Sequence, residues 1–208
     1  MKAWRDYIQS RVLKSAIKQG RKEPKPKKNL EKGGFVFVFP SDPQAARMVL
    51  QPVREWLADH PEGPVRIIVP KEAQEVARKL KAGVRTITFE LENDRTKSGV
   101  PTRELRRHVS HLQANVAVLL ADEPDSFEEI LFALINANLK AALFTESRTD
   151  HVQLLVQARG EHSRTKKIQL LLDAISTFGQ EQVPTKSNSD SARRARRTFS
   201  TENASDKS

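Results

Sequence analysis

The sequence predicts a Rossmann-like three-layer α/β/α sandwich with a mostly parallel sheet of five or six strands. Short runs of β-branched and aromatic residues alternate with helical patterns from residue 34 onward, which is typical of βαβ units. The first run, residues 35–39 (FVFVF), is continuously apolar and therefore predicts a strand that is buried on both faces. The electrically neutral middle of the chain, residues 34–180, has about the length of a single-core domain.

The predicted elements alternate along the chain. Strands are predicted at residues 35–39, 65–69, 85–91, 116–121 and 141–144, with a sixth at 152–157. Helices are predicted between them at residues 43–59, 71–81, 102–112 and 126–136, and a closing helix at 164–178. In the closing helix, Ile168, Leu171, Leu172 and Ile175 recur at helical spacing and should face the core.

The excess of positive over negative charge lies outside this predicted domain. The net charge of +10 comes from residues 1–33, with 11 Lys and Arg against 3 Asp and Glu, and from residues 181–208, with 6 against 4. A nucleic-acid-binding domain should carry the excess on its folded face. The sequence instead predicts a basic helix with a Lys/Pro-rich linker (1–33), a neutral α/β domain (34–180) and a disordered Arg/Ser-rich tail (181–208).

The N-terminal segment predicts a short basic amphipathic helix at residues 4–19. Arg11, Lys14 and Lys18 share one face of this helix, and an apolar set shares another. Three roles are open: the helix lies on an anionic membrane surface with Trp4 and Tyr7 as interfacial anchors, binds an acidic protein partner, or folds back on the domain. The linker adds further cations for an anionic partner: Lys25, Lys27 and Lys28.

The C-terminal tail contains a second basic cluster just ahead of two hydroxyl residues. Its members are Arg193, Arg194, Arg196 and Arg197. Such a cluster suits a kinase-type acceptor, a nucleic-acid arm, a tag for an acidic partner or a solubilising tail. Binding to RNA has little support, because no aromatic residues are interleaved with the cations to stack on bases.

The composition excludes several classes of function. Without cysteine the chain has no disulfide, thiolate metal site or cysteine nucleophile, and it suits a reducing cytoplasm. The longest apolar runs span about six residues, against the ~20 that a membrane-spanning helix needs. We therefore expect a cytoplasmic protein without a transmembrane segment, or one held peripherally at the inner membrane surface.

The turn after the first predicted strand is the place where a ligand binds in doubly wound folds. It reads Phe39-Pro40-Ser41-Asp42-Pro43 and has none of the glycines that let backbone amides approach a nucleotide phosphate. We therefore expect no nucleotide cofactor. Asp42 before Pro43 is typical of a helix N-cap, and Asp42 is also a candidate catalytic or ligand-binding carboxylate.

Other polar residues form no pattern of a catalytic or metal site. His108 and His111 have the spacing of two metal ligands, but two arginines share their helix and no third ligand stands near, so we expect surface histidines and no metal. His151 falls in a loop without a spacing signal. Glu128 and Glu129 are adjacent on a helix and point apart, so we expect capping or solvent roles for them.

The sheet edge above the first and fourth strands should be filled and featureless.

Packing motifs give the chain a resemblance to a known family. Residues 50–61 (LQPVREWLADHP) and 65–70 (VRIIVP) resemble a helix and strand in the N-terminal half of the lipopolysaccharide heptosyltransferases, which are glycosyltransferases of the GT-B type. The resemblance extends through residues 133–140 (ALINANLK) and covers about residues 35–158. The chain is also similar to small single-domain bacterial proteins of unassigned function that look like this half alone.

The resemblance implies a fold more than an activity. In the family, the Asp of a Gly-Asp pair after the first strand is the base that activates the acceptor hydroxyl. The resemblance implies this role for Asp42, although Ser41 replaces the glycine and the interval to Pro52 is longer than in the family. The nucleotide-sugar donor is bound mainly by a second domain, so we expect no donor site in this half. We predict a non-catalytic binding or scaffold protein that attaches to an acidic partner or an anionic surface through its basic ends. The alternative is a component of a glycosyltransferase of envelope glycan metabolism, with Asp42 as base and a donor site supplied by another subunit.

Overall fold

The computed structural model of the protein describes residues 2–21, 34–60, 63–80, 83–123, 125–158 and 163–181. Its centre is a six-stranded sheet in the order β3-β2-β1-β4-β5-β6, and each of the five strand pairings in this sheet is parallel. The strands are β1 (Phe35–Val38), β2 (Val65–Pro70), β3 (Arg85–Phe89), β4 (Gln113–Leu119), β5 (Asn136–Leu143) and β6 (Leu154–Val156). The predicted Rossmann-like α/β class is confirmed.

Seven α-helices and two short 3₁₀-helices accompany the sheet in the described residues. The α-helices are α1 (Lys2–Gly20), α2 (Pro43–Asp59), α3 (Gln74–Arg78), α4 (Leu91–Asp94), α5 (Arg103–Val109), α6 (Ser126–Leu134) and α7 (Arg164–Glu181). The 3₁₀-helices are Lys71–Ala73 and Glu146–Arg148. The sheet belongs to the unit Met1–Ile175, and a second unit begins at Ser176.

The side chains of β1 alternate between two hydrophobic cores. Phe37 belongs to the core on one side of the sheet, with residues of α2, α3 and α7. Val36 and Val38 belong to the core on the other side, with residues of α1, α5 and α6. All three side chains are fully buried. The continuous apolar run at β1 therefore follows from its central place in a sheet that helices cover on both faces.

Helix α2 begins and packs as its sequence predicts. The Asp42 side chain accepts a hydrogen bond at 2.6 Å from the backbone N–H three residues further on, and Pro43 opens the first turn. Trp56 packs edge-on against Phe35, with ring centroids 5.0 Å apart, and donates from Nε1 to the Leu172 carbonyl at 3.1 Å. These contacts join α2 to β1 and to α7.

Some predicted boundaries differ from those of the structure. β3 ends at Phe89 rather than at residue 91, because Leu91 begins the short helix α4. β4 begins at Gln113 and β5 at Asn136, both earlier than predicted, and α6 ends at Leu134. Gln113 and Asn136 are partners in the parallel ladder. The stretch LFALINANL suits a helix and a strand alike, so the pairing of β5 with β4 determines where the helix ends and the strand begins.

Helix α1 packs against α6 as part of the second helical layer. Ala16 is buried there, and a Cβ on Gly20 would come within 2.0 Å of the Ala133 carbonyl oxygen, so only glycine permits this approach. The Gln9 side chain accepts a hydrogen bond from the Ser126 hydroxyl at 2.9 Å. Of the roles left open for this helix, packing on the domain is therefore present. None of the described helices has both the length and the hydrophobicity that crossing a bilayer requires.

Candidate functional site

The outer face of α1 carries the predicted basic residues together with two aromatic side chains. Five positions at spacings of three and four residues fall within ~80° of the helix circumference. We call them the α1 stripe: Trp4, Tyr7, Arg11, Lys14 and Lys18. All five are exposed, Trp4 by 65% and Tyr7 by 61%. Because buried Ala16 lies on the opposite side of the helix, packing against α6 leaves the α1 stripe facing solvent.

The remaining cations that the sequence singled out lie outside the described residues. They are Lys25, Lys27, Lys28, Arg193, Arg194, Arg196 and Arg197. A binding role for them stays a prediction, as does the disordered tail. Of the cations predicted to bind a partner, the structure describes Arg11, Lys14 and Lys18.

Asp42 lies just beyond the carboxyl end of β1, at the sheet edge where ligands bind in this fold class. The residue is exposed, and its carboxylate accepts the capping hydrogen bond of α2. The predicted N-cap is confirmed. The role of Asp42 as a catalytic base stays a prediction.

The crevice between β1 and β4 is the switch point of the sheet, because the helices that follow these neighbouring strands cover opposite faces. Glu128, in the first turn of α6, accepts a hydrogen bond here from the backbone N–H of Ser41. Glu128 is only 4% exposed and Ser41 is also buried. In nucleotide-binding proteins of this fold class, backbone N–H groups of this turn bind a phosphate. Here the N–H of Ser41 in that turn donates instead to the protein's own Glu128 carboxyl group.

The expected capping or solvent role of Glu128 is wrong, and burial alters the chemistry of this side chain. Burial raises its pKa from 4.5 to about 7, and hydrogen bonds from the backbone and side chain of Ser41 oppose the rise. The charges of Asp125 and Glu129 add to it. The burial of Glu128 could not be predicted from the sequence, because adjacent glutamates on a helix usually face solvent. In this protein, α6 is buried on every face from Phe127 to Leu134.

The same expectation is wrong for Glu129, which forms a buried ion pair. Arg148 is fully buried and donates from Nε to Glu129 Oε1 at 2.6 Å and from Nη1 to the Leu143 carbonyl at 2.9 Å. His151 places Nε2 3.6 Å from Glu129 Oε2, and both its ring nitrogens are buried without a hydrogen-bond partner among the described residues. This cluster connects the start of α6 to the segment between β5 and β6.

Lys140 is another buried charge that the sequence did not single out. It lies on β5, is 4% exposed, and donates from Nζ to the Ala133 carbonyl at 2.8 Å. Nζ also lies 5.6 Å from the centroid of the Phe132 ring. Burial, and then the charge of Arg21, lower the pKa of Lys140 from 10.5 to about 8. Lys140 and His151 line a cavity of 340 Å³ beside the C-terminal end of α1.

The carboxyl edge of the sheet also has an open part. A cavity of 580 Å³ lies at the ends of β1, β2 and β3, and its lining contains Ser41, Lys71 and three glutamates. Lys71 forms an exposed ion pair with one of them, Glu90. His108 and His111 are exposed, and no cluster of three or more potential metal ligands occurs in the described part of the chain.

Comparisons with known proteins give one structural similarity. No family model and no curated protein matches the chain. Among solved structures, the E. coli ADP-heptose lps heptosyltransferase II is similar to this chain with 18% sequence identity and a TM-score of 0.40, covering 67% of this chain. The match covers 40% of the length of that enzyme. The fold assignment rests on the strand order and the parallel pairing of the strands.

Proposed function

We propose that this protein is a non-catalytic, glycosyltransferase-like domain that attaches to an anionic membrane surface through the α1 stripe. The observation that carries the proposal is the alignment of two exposed aromatic residues and three exposed cations on one face of a helix whose other face is packed. The attachment would be peripheral, at the cytoplasmic surface of the inner membrane of a bacterial cell.

The residue types of the α1 stripe suit a lipid interface. Trp4 and Tyr7 lie together at the N-terminal end, and side chains of this kind favour the boundary between headgroups and acyl chains. Arg11, Lys14 and Lys18 continue the stripe, and each cation near an anionic leaflet contributes about 1 kcal/mol. Three cations together would raise the partition coefficient on the order of 100-fold, an effect that added salt should weaken.

The arrangement favours a membrane over the other partners left open by the sequence. A single convex helix presents all five side chains of the α1 stripe to a flat surface at once. The aromatic residues stand at one end rather than between the cations, which does not suit the stacking of successive bases. An acidic protein remains an alternative that the experiment below distinguishes.

Two observations at the sheet edge support the non-catalytic part of the proposal. The Ser41 N–H at the switch point is satisfied internally by Glu128, and the Asp42 carboxylate is engaged as a helix cap. A glycosyltransferase component with Asp42 as base remains the alternative function. It requires a second protein to supply the donor site, and it predicts that a complex with this chain transfers sugar from a nucleotide sugar and that Asp42→Asn abolishes the transfer.

The test is binding of the full chain to lipid vesicles. Phosphatidylglycerol vesicles should bind the protein and phosphatidylcholine vesicles should not. The triple variant Arg11→Gln, Lys14→Gln, Lys18→Gln should lose binding by on the order of 100-fold. Point variants are preferable to deleting the helix, because deletion would uncover α6.

A matched control removes the same number of exposed cations from α2, α3 and the residue after α3: Arg54→Gln, Arg78→Gln, Lys79→Gln. This variant should bind like the unaltered protein.

Fluorescence gives a second readout, since the chain has two tryptophans, of which Trp56 is buried and Trp4 exposed. A blue shift on binding should disappear in Trp4→Phe. Equal loss in both triple variants, or binding to polyglutamate without binding to vesicles, would refute the membrane proposal.

A further inference from the structure

We propose that the groove between α1 and α5 is a binding site for a phosphate monoester group. The groove encloses 340 Å³ and is lined from α5 by Arg103, Arg106 and Arg107 and from α1 by Ser15 and its neighbours. It lies beside the α1 stripe but uses different side chains. The proposal goes beyond membrane attachment, because it assigns a specific ligand group to residues that attachment does not need.

The three arginines converge because of their spacing. Arg106 and Arg107 follow Arg103 by three and four residues, so the three side chains leave α5 within about 100° of its circumference. None of the residues that line the groove is acidic. The groove therefore concentrates three positive charges in a concave site, where field lines are focused and an anion is attracted most strongly.

Among the described residues, no acidic side chain compensates these charges. In the described part of the chain, no carboxylate lies within ion-pairing distance of Arg103, Arg106 or Arg107. The helix dipole accounts for basic residues in the last turn of α5, but Arg103 is its first residue, where a cation is unfavourable. Like charges at this spacing also repel one another. A bound anion would stabilise this arrangement, which is unfavourable by itself.

Arg106 gives independent support. Its Nε is buried and has no hydrogen-bond partner among the described residues. A guanidinium that has lost part of its hydration without gaining an acceptor interacts more strongly with an anion than a fully hydrated one does. The planar guanidinium group also matches the geometry of phosphate oxygens, with which it forms paired hydrogen bonds.

The charge and size of the groove select the chemical class of the ligand. A phosphate monoester carries a charge between −1.5 and −2 at about pH 7, whereas a diester carries roughly half of that, so three arginines favour the monoester. The Ser15 hydroxyl adds a neutral donor. The monoester could belong to a lipid headgroup, as in phosphatidic acid, or to a small soluble molecule, and the experiment separates the two sources.

The first experiment is titration of the full chain with inorganic phosphate, followed by calorimetry, against potassium chloride of equal ionic strength. Phosphate should bind saturably and chloride should not. Arg103→Gln and Arg107→Gln should each weaken binding about tenfold, the value of one charge-assisted contact. Arg78→Gln, which removes an exposed cation from α3, should leave binding unchanged. Arg106→Gln should weaken binding most, and thermal unfolding checks that each variant is folded.

The second experiment compares vesicles containing phosphatidic acid with vesicles of phosphatidylglycerol adjusted to the same surface charge. If the ligand is a lipid, the phosphatidic acid vesicles should bind more tightly and Arg103→Gln should remove only that preference. If the ligand is soluble, phosphate should bind and the two vesicles should not differ. Phosphate binding no stronger than chloride binding, or equal weakening by Arg78→Gln, would overturn the proposed site. Loss of vesicle binding in the α1 stripe variant with phosphate binding intact would separate the two proposals.

Discussion

Replacing Glu128 by glutamine should change the pH dependence of the free energy of unfolding. In the folded protein, burial raises the pKa of this carboxyl group from 4.5 to about 7. Since one pKa unit corresponds to about 1.36 kcal/mol, the difference in pKa between the folded and unfolded states amounts to roughly 3 kcal/mol of unfolding free energy. The side chain is only 4% exposed, so solvent screening reduces this figure little.

The sign follows from which state holds the proton more tightly. Because the folded pKa is the higher one, the folded protein keeps a proton on Glu128 that the unfolded chain has already lost. The stabilising contribution is therefore complete below pH 4.5 and is lost as the pH rises through about 7. Glutamine keeps an oxygen that can accept the Ser41 N–H, and it has no charge to gain. The Glu128→Gln variant should thus lack this loss of stability.

The assay is urea unfolding of both proteins across the interval from pH 4.5 to about 7. The difference between the two free energies removes the contributions of all other titrating groups, and it should change by roughly 3 kcal/mol in favour of the variant as the pH rises. Exposed Glu75→Gln controls for the loss of a carboxylate. A difference that stays constant over the interval would refute the assignment of a buried, proton-retaining Glu128.

Three further predictions concern other polar groups. The pKa of Lys140 is lowered from 10.5 to about 8 in the folded protein, so the unfolded chain holds this proton more tightly. The free energy of unfolding should therefore rise by roughly 3 kcal/mol as the pH increases from about 8 to 10.5. In urea unfolding, Lys140→Met should abolish this rise. Arg148→Met should destabilise the protein by about 3–5 kcal/mol because it leaves the Glu129 charge buried and unpaired, and the double variant with Glu129→Gln should recover most of the loss; a double variant no more stable than the single one would contradict this. Asp42→Ala should cost about 1 kcal/mol in thermal unfolding and Asp42→Asn much less, since asparagine also caps helices; equal losses would argue against the cap.

The layers of the fold could be predicted from the sequence because they depend on local patterns. The run FVFVF required a strand covered on both faces, and β1 lies in the middle of the sheet. The pair Asp42-Pro43 marked the start of α2. The start of β5 could not be predicted, because it is set by pairing with β4 rather than by any property of its own residues.

The candidate sites were predictable to a smaller extent. The cations of α1 were identified because they are close in sequence, and their exposure depends only on which face of the helix is apolar. Contacts such as Arg148–Glu129 and Ser41–Glu128 join residues that are 19 and 87 positions apart. Only the tertiary fold brings them together, and a glutamate on a helix gives no sign in the sequence of being buried.

The buried charges have a common cause in the position of α6. This helix lies between the sheet and α1 and is buried from Phe127 to Leu134, and side chains bind the backbone groups at its two ends. Asp125 accepts from the N–H of Phe127 at the start, and Lys140 donates to the Ala133 carbonyl at the end, which also complements the helix dipole. Charged residues are therefore needed where hydrophobic ones would leave backbone groups unsatisfied.

Two titrating side chains lie near opposite ends of α6, Glu128 in its first turn and Lys140 at the Ala133 carbonyl. Glu128 gains its charge near pH 7 and Lys140 loses its charge near pH 8, so between these values both carry buried charge in the folded state. Stability should therefore pass through a minimum between about pH 7 and 8, whereas most proteins are most stable between about pH 5 and 8. Urea unfolding of the double variant Glu128→Gln, Lys140→Met measures this effect, and the minimum should disappear. If it persists there, other groups must produce it, and the assignment of the minimum to Glu128 and Lys140 would be wrong.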